Sequence, residues 1–134
     1  MRMTHKGSCH CGKVRFEAEL DLAAGTTRCN CSICAKRRYW GARVSPEDFR
    51  LVANEADVGD YQFNTMSTHN RFCRTCGASP YGHGYIEQAG GAFVSINIAC
   101  LDDVAPEELA RLPVQYMDGR HDNWWVVPEV TSYL

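Results

Sequence analysis

Apolar and polar residues alternate along much of the chain. Val14, Phe16, Ala18 and Leu20 are separated by single charged residues. A period of two residues is typical of a strand that buries one face. Shorter stretches predict further strands over residues 39–44, 49–53, 58–63, 70–73 and 81–87.

The clearest late strand is predicted over residues 93–101. Its side chains Val94, Ile96, Ile98 and Cys100 share one face. Because that face is apolar, the period places Cys100 in the core, where free cysteine is often found.

One short helix is predicted after this strand. Pro106 suits a first helical position, the two glutamates that follow it suit a first turn, and Pro113 ends the segment. Asp102 and Asp103 are interpreted as caps of this helix.

The whole pattern predicts a β-rich, mainly β fold with one short helix, formed by a single domain over residues 1–134. The formal net charge of −2 offers no basic surface, so nucleic acid is not expected as a partner. No apolar run is long enough to cross a membrane, and the first residues lack the apolar stretch of a secretory signal. We therefore expect a cytoplasmic protein whose thiols stay reduced.

Seven of the eight cysteines fall into three tight clusters. The clusters are Cys9-x-Cys11, Cys29-x-Cys31-x-x-Cys34 and Cys73-x-x-Cys76. Thiolates at such spacing can converge on one soft cation, and tetrahedral sulfur coordination favours zinc. A disulfide framework is the alternative, but the close spacing and the lack of an export signal favour metal binding.

The turn residues indicate which clusters share an ion. Gly12 follows Cys11 and Gly77 follows Cys76, and glycine tolerates the positive φ of a tight metal-binding turn. The middle cluster has no such glycine. The outer clusters therefore predict a closed, structural zinc site with four ligands, Cys9, Cys11, Cys73 and Cys76.

The middle cluster supplies only three ligands, Cys29, Cys31 and Cys34. A second zinc ion there would keep an open fourth position, which is typical of a catalytic site. Zinc with three thiolates is a weak Lewis acid for water. It is better suited to hold a fourth, exogenous thiolate and keep it deprotonated.

Three cations, Lys36, Arg37 and Arg38, follow this cluster directly. They would offset the sulfur charge and bind carboxylates of an incoming ligand. A solvated surface turn is the alternative interpretation of the same residues.

Cys100 is the rival for the fourth position of the second site. If its thiol bound the ion, both sites would be closed and the catalytic interpretation would be lost. The apolar face that it shares with Ile96 and Ile98 favours core packing instead.

Three motifs in order carry a resemblance to a known family. They are GSCHCGKVRFE over residues 7–17, CNCSIC over residues 29–34 and FCRTCG over residues 72–77. These motifs closely resemble the glutathione-dependent formaldehyde-activating enzyme (GFA) family, also called the centromere protein V/GFA (CENP-V/GFA) domain. The middle motif carries Asn30 where that family often has histidine.

The resemblance implies a Mss4-like β-tent pinned by zinc. It implies a structural zinc ion at the four outer cysteines, and a catalytic one at Cys29, Cys31 and Cys34 whose fourth position is left for glutathione or water. It also implies the name-giving activity, condensation of glutathione with formaldehyde to S-(hydroxymethyl)glutathione. That reaction is classed with the carbon–sulfur lyases, and its partners are a small-molecule thiol and an aldehyde.

Two hypotheses of different class compete. In the first, the chain is an enzyme that adds a thiol to a small carbonyl or cleaves the product. In the second, it is a non-catalytic binding module in which both zinc sites are structural. A sulfoxide reductase of similar fold is a weaker third option, since no cysteine stands out as a redox nucleophile. The open zinc position separates the first two.

Overall fold

Ten strands and two short α-helices follow one another in the computed structural model, which describes all residues from 1 to 134. In chain order they are β1 (Met3–Ser8), β2 (Arg15–Leu20), β3 (Thr26–Cys29), α1 (Ser32–Arg37), β4 (Trp40–Val44), β5 (Phe49–Val52), β6 (Val58–Tyr61), β7 (Thr68–Cys73), β8 (Tyr81–Ile86), β9 (Gly91–Asn97), α2 (Pro106–Leu109) and β10 (Val114–Met117). The mainly β, Mss4-like class predicted from the sequence is confirmed.

The strands form two sheets. The smaller sheet has the order β1-β2-β5, and the larger has the order β10-β3-β4-β9-β8-β7-β6. Every pair is antiparallel except β10 with β3, which run parallel with Val114 opposite Thr26 and Met117 opposite Cys29. This parallel pair places the chain after residue 117 beside the cysteines that follow β3.

The core joins side chains from both sheets. Phe16 of β2 is 1% exposed and Ile96 of β9 is completely buried. Ala18 and Leu20 share the buried face of β2, as the alternation predicts. Complete burial of one large apolar side chain stabilises a fold by about 1.5–3 kcal/mol, so this face holds the two sheets together.

The sequence located most of the antiparallel strands, but it did not predict β1, β3, β10 or α1. Helix α2 is confirmed at Pro106, whereas the strand predicted to reach residue 101 ends at Asn97. Residues from Ile98 to Cys100 form a turn of 3-10 helix. Neither α-helix has the length or the apolar character needed to cross a membrane.

The interpretation of Asp102 and Asp103 as helix caps is wrong. Helix α2 has Ala105 at its N-cap and no side chain capping it. Instead, Asp102 accepts a hydrogen bond of 2.6 Å from the Ser8 hydroxyl, and Asp103 accepts one of 2.9 Å from the backbone N–H of Lys6. The chain passes beside β1 here, so the two carboxylates satisfy donors of that strand and fix the approach to the first cysteine motif.

Candidate metal centres and the adjoining cleft

The outer cysteine clusters meet at one point. The sulfur atoms of Cys9, Cys11, Cys73 and Cys76 all lie within 4.8 Å of one another. Cys9 follows β1 and Cys73 ends β7, so the cluster joins the smaller sheet to the larger one. None of the eight cysteines forms a disulfide.

Two tight turns hold this first cluster. Gly12 has a φ of +85° and Gly77 a φ of +80°, both in the left-handed region that favours glycine. Backbone N–H groups point at the sulfurs: Val14 donates to Cys9 Sγ at 3.3 Å, and Thr75 donates to Cys73 Sγ at 3.4 Å. Such donors favour the charged thiolate over the thiol.

Backbone hydrogen bonds also lower the pKa values of two thiols in the first cluster. The backbone N–H of Cys76 lowers the pKa of the Cys73 thiol, with a further contribution from Thr75. The pKa of Cys76 is lowered to about 6, chiefly by the backbone of Ala78. Thiolates are the form in which cysteine binds metal ions, so the second turn prepares Cys73 and Cys76 for a cation.

The spacing of the sulfurs fits zinc. Cys11 Sγ lies 3.7 Å from Cys9 Sγ and 3.6 Å from Cys73 Sγ. A tetrahedron with Zn–S distances of about 2.3 Å has sulfurs about 3.8 Å apart. The cluster is therefore compatible with a zinc ion held by four thiolates.

The middle cluster is built differently. Cys29 ends β3, Cys31 is the N-cap residue of α1 and Cys34 lies within that helix. Their three sulfurs also lie within 4.8 Å of one another. The start of a helix replaces the glycine turn here, and the N–H of Cys31 donates to Cys29 Sγ at 3.3 Å.

These three thiols compete for one negative charge. Hydrogen bonds from Cys29 and then Cys34 lower the pKa of Cys31. Hydrogen bonds with Cys29 and then with Cys31 raise the pKa of Cys34. Full ionisation of all three therefore requires a cation, and three converging soft donors are compatible with zinc.

Cys100 lies outside both clusters. It occupies the 3-10 turn after β9, packs against the core, and donates a long hydrogen bond of 3.9 Å to the Ser79 carbonyl. Burial raises the pKa of its thiol to about 11, which disfavours the thiolate. The second cluster therefore gains no fourth thiol from this residue.

A cleft opens beside the second cluster. Its volume is about 710 Å³, and Cys31 contributes to its wall. Phe63 and Trp124 supply aromatic surface to the same cleft, and Lys36 and Arg120 supply positive charge. A volume of this size is within the range of small-molecule sites.

The three cations predicted to bind carboxylates lie in different surroundings. Lys36 lines the cleft. Arg37 does not; its guanidinium donates to Asn70 Oδ1 at 3.0 Å and stacks on Tyr39. Arg38 ends α1 in a left-handed conformation and donates to the carbonyl of Leu134 at 3.5 Å. Of the three, only Lys36 lines the cleft to which Cys31 also contributes.

Sequence reasoning missed the contact that joins the segment after β10 to the second cluster. Asp118 is buried and accepts a hydrogen bond of 2.8 Å from the side chain of Asn30, which stands between Cys29 and Cys31. This bond, and then one from His121, lowers the pKa of Asp118. No local signal links residues 88 positions apart, because only the parallel pairing of β10 with β3 brings them together.

Gly119 follows Asp118 and lies against the cluster itself. A Cβ atom added there would lie 2.7 Å from Cys29 Sγ and 2.5 Å from the Trp124 ring. Real contacts of this type are longer, so this position requires glycine for close approach.

The comparisons with known proteins agree with this architecture. Residues 4–118 match the family described as glutathione-dependent formaldehyde-activating enzyme. A Rhodobacter sphaeroides protein known from its crystal structure is 34% identical in sequence, with a TM-score of 0.70. The match covers 82% of this chain and 99% of that one.

Proposed function

The chain belongs to the glutathione-dependent formaldehyde-activating enzyme family, as its three motifs predicted, and we propose that it adds a thiol to a small carbonyl compound at its second cysteine cluster. The thiol in this proposal is glutathione and the carbonyl is an aldehyde such as formaldehyde. The reverse cleavage of the carbon–sulfur bond belongs to the same proposal, which makes the chain a carbon–sulfur lyase.

One observation carries this proposal. The second cluster offers three thiols, and one of them, Cys31, forms part of the wall of a cleft large enough for a small molecule. The first cluster offers four thiols, which complete a tetrahedron. The two clusters therefore suit a catalytic and a structural role respectively.

The cysteines Cys29, Cys31 and Cys34 would hold a zinc ion. When bound, such an ion supplies a position that keeps an incoming thiol deprotonated at neutral pH. The chain itself contributes a fixed position for these cysteines, because Asn30 is hydrogen-bonded to Asp118 beneath them. Phe63 and Trp124 give the cleft apolar surface, and Lys36 offers a charge for a carboxylate of the thiol.

The chemical step is an addition. The thiolate sulfur attacks the carbonyl carbon, a carbon–sulfur bond forms, and the electron pair of the carbonyl π bond moves to oxygen. That oxygen takes a proton from solvent in the open cleft. Nothing is oxidised or reduced, so no further co-substrate is required.

The remaining elements of the proposal concern the domain organisation and the cellular compartment. We propose that residues 1–134 act as a single zinc-binding domain in the cytoplasm, where reduced glutathione is available. The binding-module hypothesis differs in one respect, because it requires both zinc sites to be structural. The open side of the second cluster at Cys31 favours the enzyme.

Calorimetric titration of the zinc-loaded protein with glutathione tests this proposal. The free thiol is expected to bind, and S-methylglutathione, whose sulfur is blocked, is expected to bind far more weakly. Equal binding of the two, or no binding of either at millimolar concentration, would contradict the role of the second cluster. A coupled measurement with formaldehyde should then show formation of S-(hydroxymethyl)glutathione.

A further inference from the structure

A second cavity lies between the two sheets and shares no lining residue with the cleft beside the cysteines. Its volume is about 340 Å³, which is within the range of small-molecule sites. Phe49 and Leu51 of β5 line it from the smaller sheet, and Phe93 and Val94 of β9 line it from the larger one. The body of a ligand in this cavity would therefore contact mainly apolar surface.

The polar groups of the cavity come from the buried face of the larger sheet. Val94 of β9 lies opposite His83 of β8, which lies opposite His69 of β7. Tyr81 of β8 likewise lies opposite Arg71 of β7. Because opposite residues of paired strands share a face, the face that is apolar at β9 carries ionisable side chains at β8 and β7.

One hydroxyl in this cavity has no partner. Tyr81 is only 4% exposed and lines the cavity, and its ring packs against Phe49 with the centroids 4.9 Å apart. Its hydroxyl forms no hydrogen bond within the chain, although every fully buried polar side-chain atom of the protein has one. The hydroxyl is therefore accessible from the space that Tyr81 lines. Burial raises the pKa of this phenol, so the hydroxyl stays protonated and can donate.

His83 supplies a second donor. Its Nε2 lies 3.3 Å from the Arg71 guanidinium, and because a guanidinium only donates, this contact assigns the proton of the neutral ring to Nδ1. Burial, and then His69 and Arg71, lower the pKa of His83, which favours that neutral form. The His69 ring stacks on His83 with the centroids 4.5 Å apart and holds its orientation. Nδ1–H has no acceptor within the chain.

The charges around the cavity indicate what kind of acceptor fits. The Arg71 guanidinium donates to Glu55 at 2.9 Å, and the Asp60 carboxylate lies 2.7 Å from His69 Nδ1. After burial, Arg71 lowers the pKa of Tyr81 whereas Glu55 and Asp60 raise it. Two carboxylates thus face one guanidinium, and an anion would meet no net positive charge. The two free donors match an acceptor that carries no charge.

We propose that this cavity binds a small neutral molecule with an apolar body and a carbonyl oxygen, which accepts hydrogen bonds from the Tyr81 hydroxyl and His83 Nδ1–H. The body packs against the side chains of Phe49, Leu51 and Phe93. Binding is non-covalent, so no group is transferred. The site goes beyond the proposed function, because none of its residues lines the cleft of the second cluster.

Amide NMR titration of the isotope-labelled, zinc-loaded protein with acetophenone tests this site. Acetophenone joins a phenyl ring to a neutral carbonyl, and at millimolar concentration it should shift the amide signals of Gly84, Phe93 and Val94. Ethylbenzene lacks the oxygen and benzoate carries a charge, so each should bind about fivefold more weakly. No shift of these signals by acetophenone, or tighter binding of benzoate, would overturn the proposal.

Two variants separate binding from packing. Tyr81→Phe removes a hydroxyl that has no partner in the chain, so it should weaken acetophenone binding about fivefold and leave the free energy of unfolding unchanged. His83→Gln should also weaken binding about fivefold, because the glutamine oxygen replaces Nε2 as acceptor for Arg71 but offers no donor at the position of Nδ1. Tyr85→Phe is the matched control, since Tyr85 lies on the same strand but is exposed and outside the cavity.

Ethylbenzene shows whether the loss comes from hydrogen bonding. It should bind Tyr81→Phe as it binds the wild type. Equal losses for ethylbenzene and acetophenone would assign the effect to cavity shape and overturn the proposal, as would wild-type acetophenone affinity in Tyr81→Phe. Glutathione should bind Tyr81→Phe as it binds the wild type, so the outcome at this cavity and the outcome at the second cluster are read separately.

Discussion

Asn30 and Asp118 are joined by a buried hydrogen bond of 2.8 Å although they lie 88 positions apart in sequence. The same amide accepts a hydrogen bond from the backbone of Arg120. One side chain therefore connects the second cysteine cluster to the far wall of the cleft.

Replacing Asn30 tests the connection. Asn30→Ala should lower the free energy of unfolding by about 1–3 kcal/mol, because it leaves the Asp118 carboxylate and the Arg120 N–H without this partner. Thermal denaturation at fixed zinc concentration measures the loss. Asn54→Ala is the matched control, since Asn54 is exposed and its side chain caps no helix. A stability change as small as that of the control would show that the bond contributes nothing.

Gly119→Ala should damage the second metal centre and spare the first. The added Cβ would lie 2.7 Å from Cys29 Sγ, so the segment after β10 must move away from the cluster. We expect a folded protein that retains about one zinc ion per chain, because the four-thiol cluster is untouched. Elemental analysis together with circular dichroism measures this. Adding Trp124→Ala relieves only the contact with the ring, so full zinc content in that double variant would assign the damage to Trp124 instead of Cys29.

Removing one thiol from each cluster should give different results. The wild type should carry two zinc ions per chain. Cys76→Ala should unfold the domain or sharply lower its yield, because the first cluster joins the two sheets. Cys31→Ala should leave a folded protein with one zinc ion. Zinc content, yield and thermal denaturation provide the comparison, and equal collapse of both variants would favour the binding-module hypothesis.

Cys100→Ala should keep both zinc ions. The thiol packs against the core and belongs to neither cluster, so its removal should reduce the free energy of unfolding by only about 1 kcal/mol. Elemental analysis and denaturant titration check both parts. Loss of one zinc equivalent would make Cys100 a ligand and would close the second site.

The features that could be predicted from the sequence are those that depend on residues close together in the chain. Gly12 and Gly77 signal their turns because a positive φ selects glycine at the position itself. The alternation around Phe16 predicts β2 because successive residues of a strand lie on opposite faces of the sheet, one buried and one exposed. Helix α2 is predicted by the proline at its first position, Pro106.

The features that escaped prediction depend on distant parts of the chain. Strands β3 and β10 are four residues each, and their pairing is parallel, so neither a hairpin turn nor a long pattern marks them. Gly119 has no unusual φ, and its role is visible only once Cys29 lies beside it. Arg120 was missed for the same reason, whereas Lys36 was found because it is close to Cys34 in sequence.

The spacing of the ligands also sets an order for biosynthesis. The stretch from Cys29 to Cys34 is only six residues long, so the middle cluster can capture a metal ion as soon as that stretch leaves the ribosome. The first cluster must wait for Cys73, which is 62 residues after Cys11. The segment that lies against the middle cluster, which includes β10 and Arg120, is synthesised later still. A nascent chain thus brings the three thiols of the middle cluster together before the segment that lies against them has been synthesised.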